Sequence, residues 1–255
     1  MKTVVGNWKM KVGTRESVAL ARGVIMALRG KKILPEVIIC PPFVAFSEVR
    51  KVVARSRVQM GAQDVFWEEE GSFTGEISPR MMSELGVTHA LIGHSERRSL
   101  LNETDEMVNK KIREAKDEGL IPILCVGENQ EQRAAGKDFD IVAAQLHQGL
   151  TGIRFRPKDQ LYVAYEPIWA IGTGEAAHPA DAVEMHSFIR KHLKEILKNN
   201  PSVKILYGGS VDGENVYSFL REPEVDGVLV GGASVKLAQF GQIINSAIEA
   251  MEGEK

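Results

Sequence analysis

Three side chains suited to proton transfer stand far apart in the chain: Lys9 in GNWKM, His94 in GHSERR and Glu166 in AYEPIWAIGTG. Glu166 ends an apolar run and is followed by Pro167, Ile168 and Trp169, a dry setting that would make a carboxylate a stronger base. His94 stands just before a helical turn, where the backbone N–H groups of Ser95 and Glu96 can bond its ring and keep it neutral. Lys9 offers a cation, and Asn7, two residues earlier in the same strand, should share its direction. The doubled glycines Gly208-Gly209, followed by Ser210, and Gly231-Gly232 carry no Cβ, so backbone N–H groups there can close on an anion.

Each feature also has a plain structural reading: an ion-paired glutamate, a satisfied core histidine, a solvated lysine, tight-turn glycines. Their combination points to proton transfer on a small phosphorylated substrate. His89, His94, His178, His186 and His192 show no metal-ligand spacing, and no GxGxxG follows the first strand. Neither metal nor cofactor is expected.

The elements that must gather these groups are legible as alternating patterns. Apolar or β-branched runs occur at 3–8, 37–40, 58–63, 89–93, 121–127, 161–166, 204–209 and 226–232. Most are continuous rather than alternating, as in parallel strands covered on both faces. Between them the spacing is helical, with Val108, Ile112 and Ala115 on one face and His186, Ile189, Leu193 and Ile196 on another. Thr14 and Asn102 read as N-caps, Ser78-Pro79 and His178-Pro179 as helix starts, and the glycines of RGKK and DEGL as stops. Eight strand–helix units of roughly 32 residues, with no linker between them, predict one α/β domain over 1–255. A closed (β/α)8 barrel fits equal steps better than an open sheet, and it would bring all the strand ends to one mouth.

Bulk properties exclude several partners. Net charge of −2 from 32 basic and 34 acidic residues gives no reason to bind nucleic acid or an anionic membrane. No apolar run approaches the ~18 residues of a membrane span. Cys40 and Cys125, the two cysteines, both end apolar strands, which suits core residues in a reducing, cytoplasmic setting. One connection is long: 64–78, DVFWEEEGSFTGEIS, has no helical or strand period and carries Phe66, Trp67 and Phe73. Aromatics in so long a loop call for a cover, either their own barrel or a second subunit.

The motifs GNWKM, GHSERR, CVGE, AYEPIWAIGTG, YGGSV and GVLVGGAS, in this order, resemble those of the triosephosphate isomerases across nearly the whole chain. The resemblance implies a TIM barrel that interconverts dihydroxyacetone phosphate and glyceraldehyde 3-phosphate. Glu166 would be the base, neutral His94 the proton shuttle between substrate oxygens, and Lys9 with Asn7 the support of the enediolate. Gly172, Ser210, Gly231 and Gly232 would hold the phosphate; Glu96 would orient Lys9 and His94, and Tyr207 would support the site. Residues 167–177 would form a closing lid. The 64–78 loop would reach a second copy, with Thr74 propping the neighbour's Asn7 and Lys9, in a homodimer or higher oligomer. Two departures stand out: Glu175 in the lid, and Lys11-Val12 after NWKM, where no effect on catalysis is expected. A catalytically silent barrel that binds phospho-ligands is the alternative.

Overall fold

The computed structural model describes residues 1–170, 177–197, 199 and 201–253. Eight strands pair in sequence order, all parallel, and close: β1 (Thr3–Asn7), β2 (Glu36–Cys40), β3 (Gln59–Ala62), β4 (His89–Ile92), β5 (Ile121–Val126), β6 (Gln160–Tyr165), β7 (Ser202–Tyr207) and β8 (Gly227–Val230). Each begins and ends within two residues of the run read from the sequence. Closure is made where β1 meets β8, Thr3 opposite Gly227. A Cβ on Gly227 would stand 2.0 Å from the Thr3 carbonyl oxygen, so only glycine allows this approach.

Alternation along each strand divides the apolar residues between two cores. Val5, Ile38, Leu91, Ile123, Ala164, Leu206 and Leu229 fill the barrel interior, while Val4, Ile39, Ile92, Leu124, Val163 and Val228 face the surrounding helices. These helices are α1 (Thr14–Leu28), α2 (Phe46–Val53), α3 (Pro79–Glu84), α4 (Ser95–Leu100), α5 (Asp105–Asp117), α6 (Gln130–Ala134), α7 (Asp138–Leu150), α8 (Pro179–Ile196), α9 (Val216–Leu220) and α10 (Leu237–Gly253). The face Val108, Ile112, Ala115 of α5 is fully buried, as its spacing requires.

Two cap assignments need correcting. Gly13, not Thr14, caps α1, and the Glu16 carboxylate accepts the Gly13 N–H at 3.0 Å. Asn102 is instead a left-handed connector (φ 55°) after α4, and Thr104 caps α5 by accepting the Met107 N–H. Both errors come from choosing the first polar residue of a polar run. Ser78 does cap α3, with Pro79 as its first residue, and α8 starts after His178 in the same way.

The end of the barrel where the strands start is sealed by a polar network. The Glu36 carboxylate accepts bonds from the Lys204 ammonium (2.8 Å), the Tyr162 hydroxyl (2.8 Å) and the Thr3 hydroxyl (2.9 Å). A second ionic cluster ties the 64–78 loop to α4 and α5. Lys111 Nζ lies 2.7 Å from Asp64 and 3.3 Å from Glu103, and Arg97 reaches Asp64 at 2.9 Å while also pairing with Glu103. Buried charges survive only when paired in this way.

His89 and His186 are fully buried, and burial pushes both imidazoles down from 6.5 to about 4. The unfolded chain therefore takes up protons that the fold refuses. Their stabilising contribution is whole above about 6.5 and drains as pH falls towards 4, by roughly 3 kcal/mol for each residue. A His186→Gln variant is expected to be less stable at neutral pH but to lose less on acidification. Urea midpoints at several pH values test this; parallel losses in both proteins would contradict it.

Candidate active site

Glu166 follows β6 directly, its own N–H donating to the Val126 carbonyl at 2.7 Å. The side chain is almost wholly buried, and both of its oxygens are bonded. Oε2 accepts the Ser95 backbone N–H at 2.9 Å, and Oε1 lies 3.1 Å from His94 Nε2. His94 caps the start of α4, where its Nδ1 accepts the Glu96 N–H at 3.2 Å. Since Nδ1 is an acceptor, the ring proton belongs on Nε2, and the imidazole is a neutral donor facing the carboxylate. The sequence offers both N–H groups to the imidazole, but that of Ser95 serves Glu166 instead.

Trp169, three residues on, turns its indole N–H to Glu128, donating from Nε1 to Oε1 at 2.7 Å. The Tyr165 hydroxyl donates to the same oxygen at 3.0 Å, and Arg133 lies over the Trp169 ring at 4.3 Å. Burial pushes the Glu128 carboxyl up, against the pull of these bonds. Neighbouring strands approach Glu166 closely. A Cβ on Gly208 would stand 3.0 Å from its Cγ, and one on Gly127 would stand 1.8 Å from its carbonyl oxygen.

Lys9 lies past the end of β1 in a left-handed turn (φ 51°), so it shares the cavity with Asn7 through a turn rather than through strand alternation. That conformation is costly for a side chain with a Cβ and is held from two sides. The Lys9 N–H donates to Asn7 Oδ1 at 3.0 Å, and Gln63 donates to the carbonyls of Lys9 and Cys40, both at 2.9 Å. The Lys9 ammonium reaches Glu96 at 2.5 Å; although burial opposes it, this bond holds the Glu96 carboxyl below the usual range.

These groups line one cavity of about 580 Å3 that also contains Gly208, Gly209, Ser210, Gly231 and Gly232. The glycine loops are pinned from behind. Ser234, buried, donates its hydroxyl to the Gly231 carbonyl at 2.6 Å and lies 3.2 Å from that of Asn7, joining the last strand to the first. Asn215 holds the Ser210 carbonyl at 3.1 Å. Tyr207 lies behind the cavity, its ring stacked on Phe219 at 4.2 Å, and burial raises its phenol above the usual range. Thr74 is exposed and lies outside the cavity of its own chain. The expectations for Gly172 and Glu175, and most of the lid, fall outside the described residues. A larger concavity of about 910 Å3 between the ends of α7 and α8 has His147, Arg154 and His192 on its rim but no comparable convergence. Among the described residues, no cluster of His, Cys, Asp or Glu is placed to hold a metal ion.

Gln63, Ser234 and Glu128 escaped the sequence reading as members of the site. Each left a signal: Gln63 is a polar residue just past the end of a strand, and Glu128 and Ser234 lie within CVGE and GVLVGGAS.

A closed parallel barrel whose mouth pairs a buried carboxylate with an imidazole is the architecture of a (β/α)8 enzyme suited to proton transfer. The sequence model of the family described as Triosephosphate isomerase matches residues 2–247. A triosephosphate isomerase of Caldanaerobacter subterraneus subsp. tengcongensis is 45% identical, over 95% of this chain and 98% of its own. One from Dictyoglomus thermophilum is 43% identical over 96% and 99%. The crystal structure of triosephosphate isomerase from Bartonella henselae superposes with a TM-score of 0.85 at 34% identity, covering 96% and 98% of the two chains. The chain belongs to the triosephosphate isomerase family.

The backbone contact at Gly127 gives a test of how tightly Glu166 is placed. Gly127→Ala must displace the Glu166 backbone, and a misplacement near 1 Å costs on the order of 10² in turnover. Turnover and melting temperature measured together check this. A folded variant with unchanged turnover would show that the strand contact does not set the position of Glu166.

Proposed function

We propose that this chain interconverts dihydroxyacetone phosphate and glyceraldehyde 3-phosphate, with Glu166 as the base that carries a proton between the two carbons. The observation behind this assignment is the bonded pair of Glu166 with a neutral His94. A carboxylate accepting from Ser95 and His94 is parked, and substrate binding would release it toward the reacting carbon. Neutral His94, with its proton on Nε2, can donate to one substrate oxygen and then move a proton to the other. Lys9, with Asn7 beside it, would stabilise the negative charge that develops on those oxygens. Glu96, at 2.5 Å from Lys9 and bonded through its backbone to His94, would orient both. The backbone N–H groups of Ser210, Gly231 and Gly232 would take the phosphate, together with Gly172 from the lid. Tyr207, buried with its hydroxyl against Gly209, would support the site. Neither metal nor cofactor enters these steps.

The reading includes a homodimer formed through the 64–78 loop. Phe66, Trp67 and Phe73 stack among themselves at 4.0 and 4.6 Å, yet Phe73 remains partly exposed. Met10 (96% exposed), Val44 (80%) and Leu100 (74%) are uncovered as well. They follow β1, β2 and β4, and the loop follows β3, four neighbours in barrel order, which supports reading them as one apolar side. A second copy would cover it, with Thr74 entering beside the partner's Lys9 region. Residues 1–255 act as one domain in this reading, supported by the pairing of the first strand with the last. A cytoplasmic location is part of it, supported by two cysteines that are free and buried.

An assay coupled to glyceraldehyde 3-phosphate tests the activity directly. Glu166→Asp should keep KM near its original value and lower kcat on the order of 10². Activity within about threefold would move the base elsewhere. Thr74→Arg should yield a monomer by sedimentation with much reduced turnover, whereas an intact, active dimer would refute the loop's role.

A further inference from the structure

The charges lining the cavity are not all accounted for by the chemistry. Three are cations, Lys9, Lys11 and Lys236, and three are anions, Glu96, Glu166 and Asp212. Lys9 is paired with Glu96, and Glu166 is bonded by Ser95 and His94. Asp212 accepts the N–H groups of Glu214 and Asn215 at 2.9 and 3.0 Å, ordering the turn before α9. Among the described residues, neither Lys11 nor Lys236 has a carboxylate within ion-pair distance. A dianionic phosphate therefore meets a mouth whose catalytic cation is already engaged.

The position of Lys11 is set by the turn that carries Lys9. After the left-handed Lys9, the chain folds back, and the Lys11 N–H donates to the Trp8 carbonyl at 3.3 Å. Two ammonium groups thus stand over the two glycines of the last loop. Lys9 Nζ lies 3.5 Å from where a Cβ on Gly231 would be, and Lys11 Nζ lies 3.5 Å from where a Cβ on Gly232 would be. The first points inward to Glu96; the second is exposed at the rim, and its field is felt at Glu96 as well.

We propose that Lys11 is a second phosphate-recognising cation, a binding residue that matches the dianion over Gly232 while Lys9 serves the reacting oxygens. The assignment rests on the reading that Gly231 and Gly232 hold the phosphate, and it goes beyond it by dividing the two lysines between the two ends of the substrate. An exposed ammonium acts through water and salt, so its effect is modest and falls with ionic strength. A contribution of about 3- to 10-fold in affinity at low ionic strength is expected from one charge facing two at this range.

Two variants separate charge from bulk: Lys11→Met removes the ammonium and keeps the length, and Lys11→Arg keeps the cation. Inorganic phosphate binding by calorimetry and KM for glyceraldehyde 3-phosphate are measured at low and high ionic strength. Lys11→Met should weaken both about 3- to 10-fold at low salt, with a smaller loss at high salt and kcat changing far less than KM. Lys11→Arg should stay within about twofold of the unmodified protein. Equal phosphate affinity and KM in Lys11→Met at low salt overturns the proposal, as does a loss that Lys11→Arg shares. Phosphate binding needs no turnover. If the unmodified chain fails to isomerise but its phosphate affinity still depends on Lys11, the isomerase reading falls and this assignment stands.

Discussion

A carboxylate taken out of water must find its hydrogen bonds inside the protein, and at Glu166 this requirement organises the mouth of the barrel. One oxygen accepts a backbone N–H from the first turn of α4 and the other faces the imidazole that caps the same helix. The helix start is thereby fixed against β6, and the imidazole is fixed in one tautomer by the next N–H along. Glu96, one residue further, then reaches Lys9 across the barrel. Carboxylate, imidazole and ammonium are linked through a single short helix. Moving one of them disturbs the others.

The barrel supplies what this arrangement needs by separating two electrostatic regions. The network of Glu36, Lys204, Tyr162 and Thr3 satisfies the polar groups where the strands begin. Apolar layers of Val5, Leu91, Ile123, Leu206 and Leu229 lie between it and the mouth. Charges at the mouth therefore answer to one another and to what enters the cavity, while the opposite end carries stability. Glu128 does a related job beneath Trp169, joining Tyr165 and Arg133 at the start of the proposed lid. The segment that leaves Glu166 thus has a fixed root.

Much of this was legible because the strands are nearly continuous apolar runs and the reactive residues stand at their ends. Strand ends carry meaning once closure is assumed, and of the doubled glycines Gly208-Gly209 lies too close to Glu166 and Tyr207 to leave room for a Cβ. What escaped was mostly pairing. Nothing local tells Ser95 to serve Glu166 rather than His94, or Trp169 to seek Glu128. Gln63 and Ser234 act on carbonyl groups that lie far away in sequence, 54 residues for Gln63 to Lys9 and 227 for Ser234 to Asn7. The left-handed turn at Lys9 was invisible for another reason: lysine is no signal for it, and the conformation is imposed by bonds from other strands. The ionic cluster of Asp64, Lys111, Arg97 and Glu103 likewise draws on three separate segments, each reading as ordinary surface charge.

The hydroxyl of Ser234 bridging Gly231 and Asn7 has a bearing on how the molecule comes into being. Translation delivers the amino-terminal wall of the cavity first and the carboxyl-terminal wall last, after more than two hundred intervening residues have left the ribosome. Until then the first strand lacks the neighbour that completes the ring. A nascent chain, however well its early helices have formed, lacks the glycine loop that lines the cavity until the ring shuts.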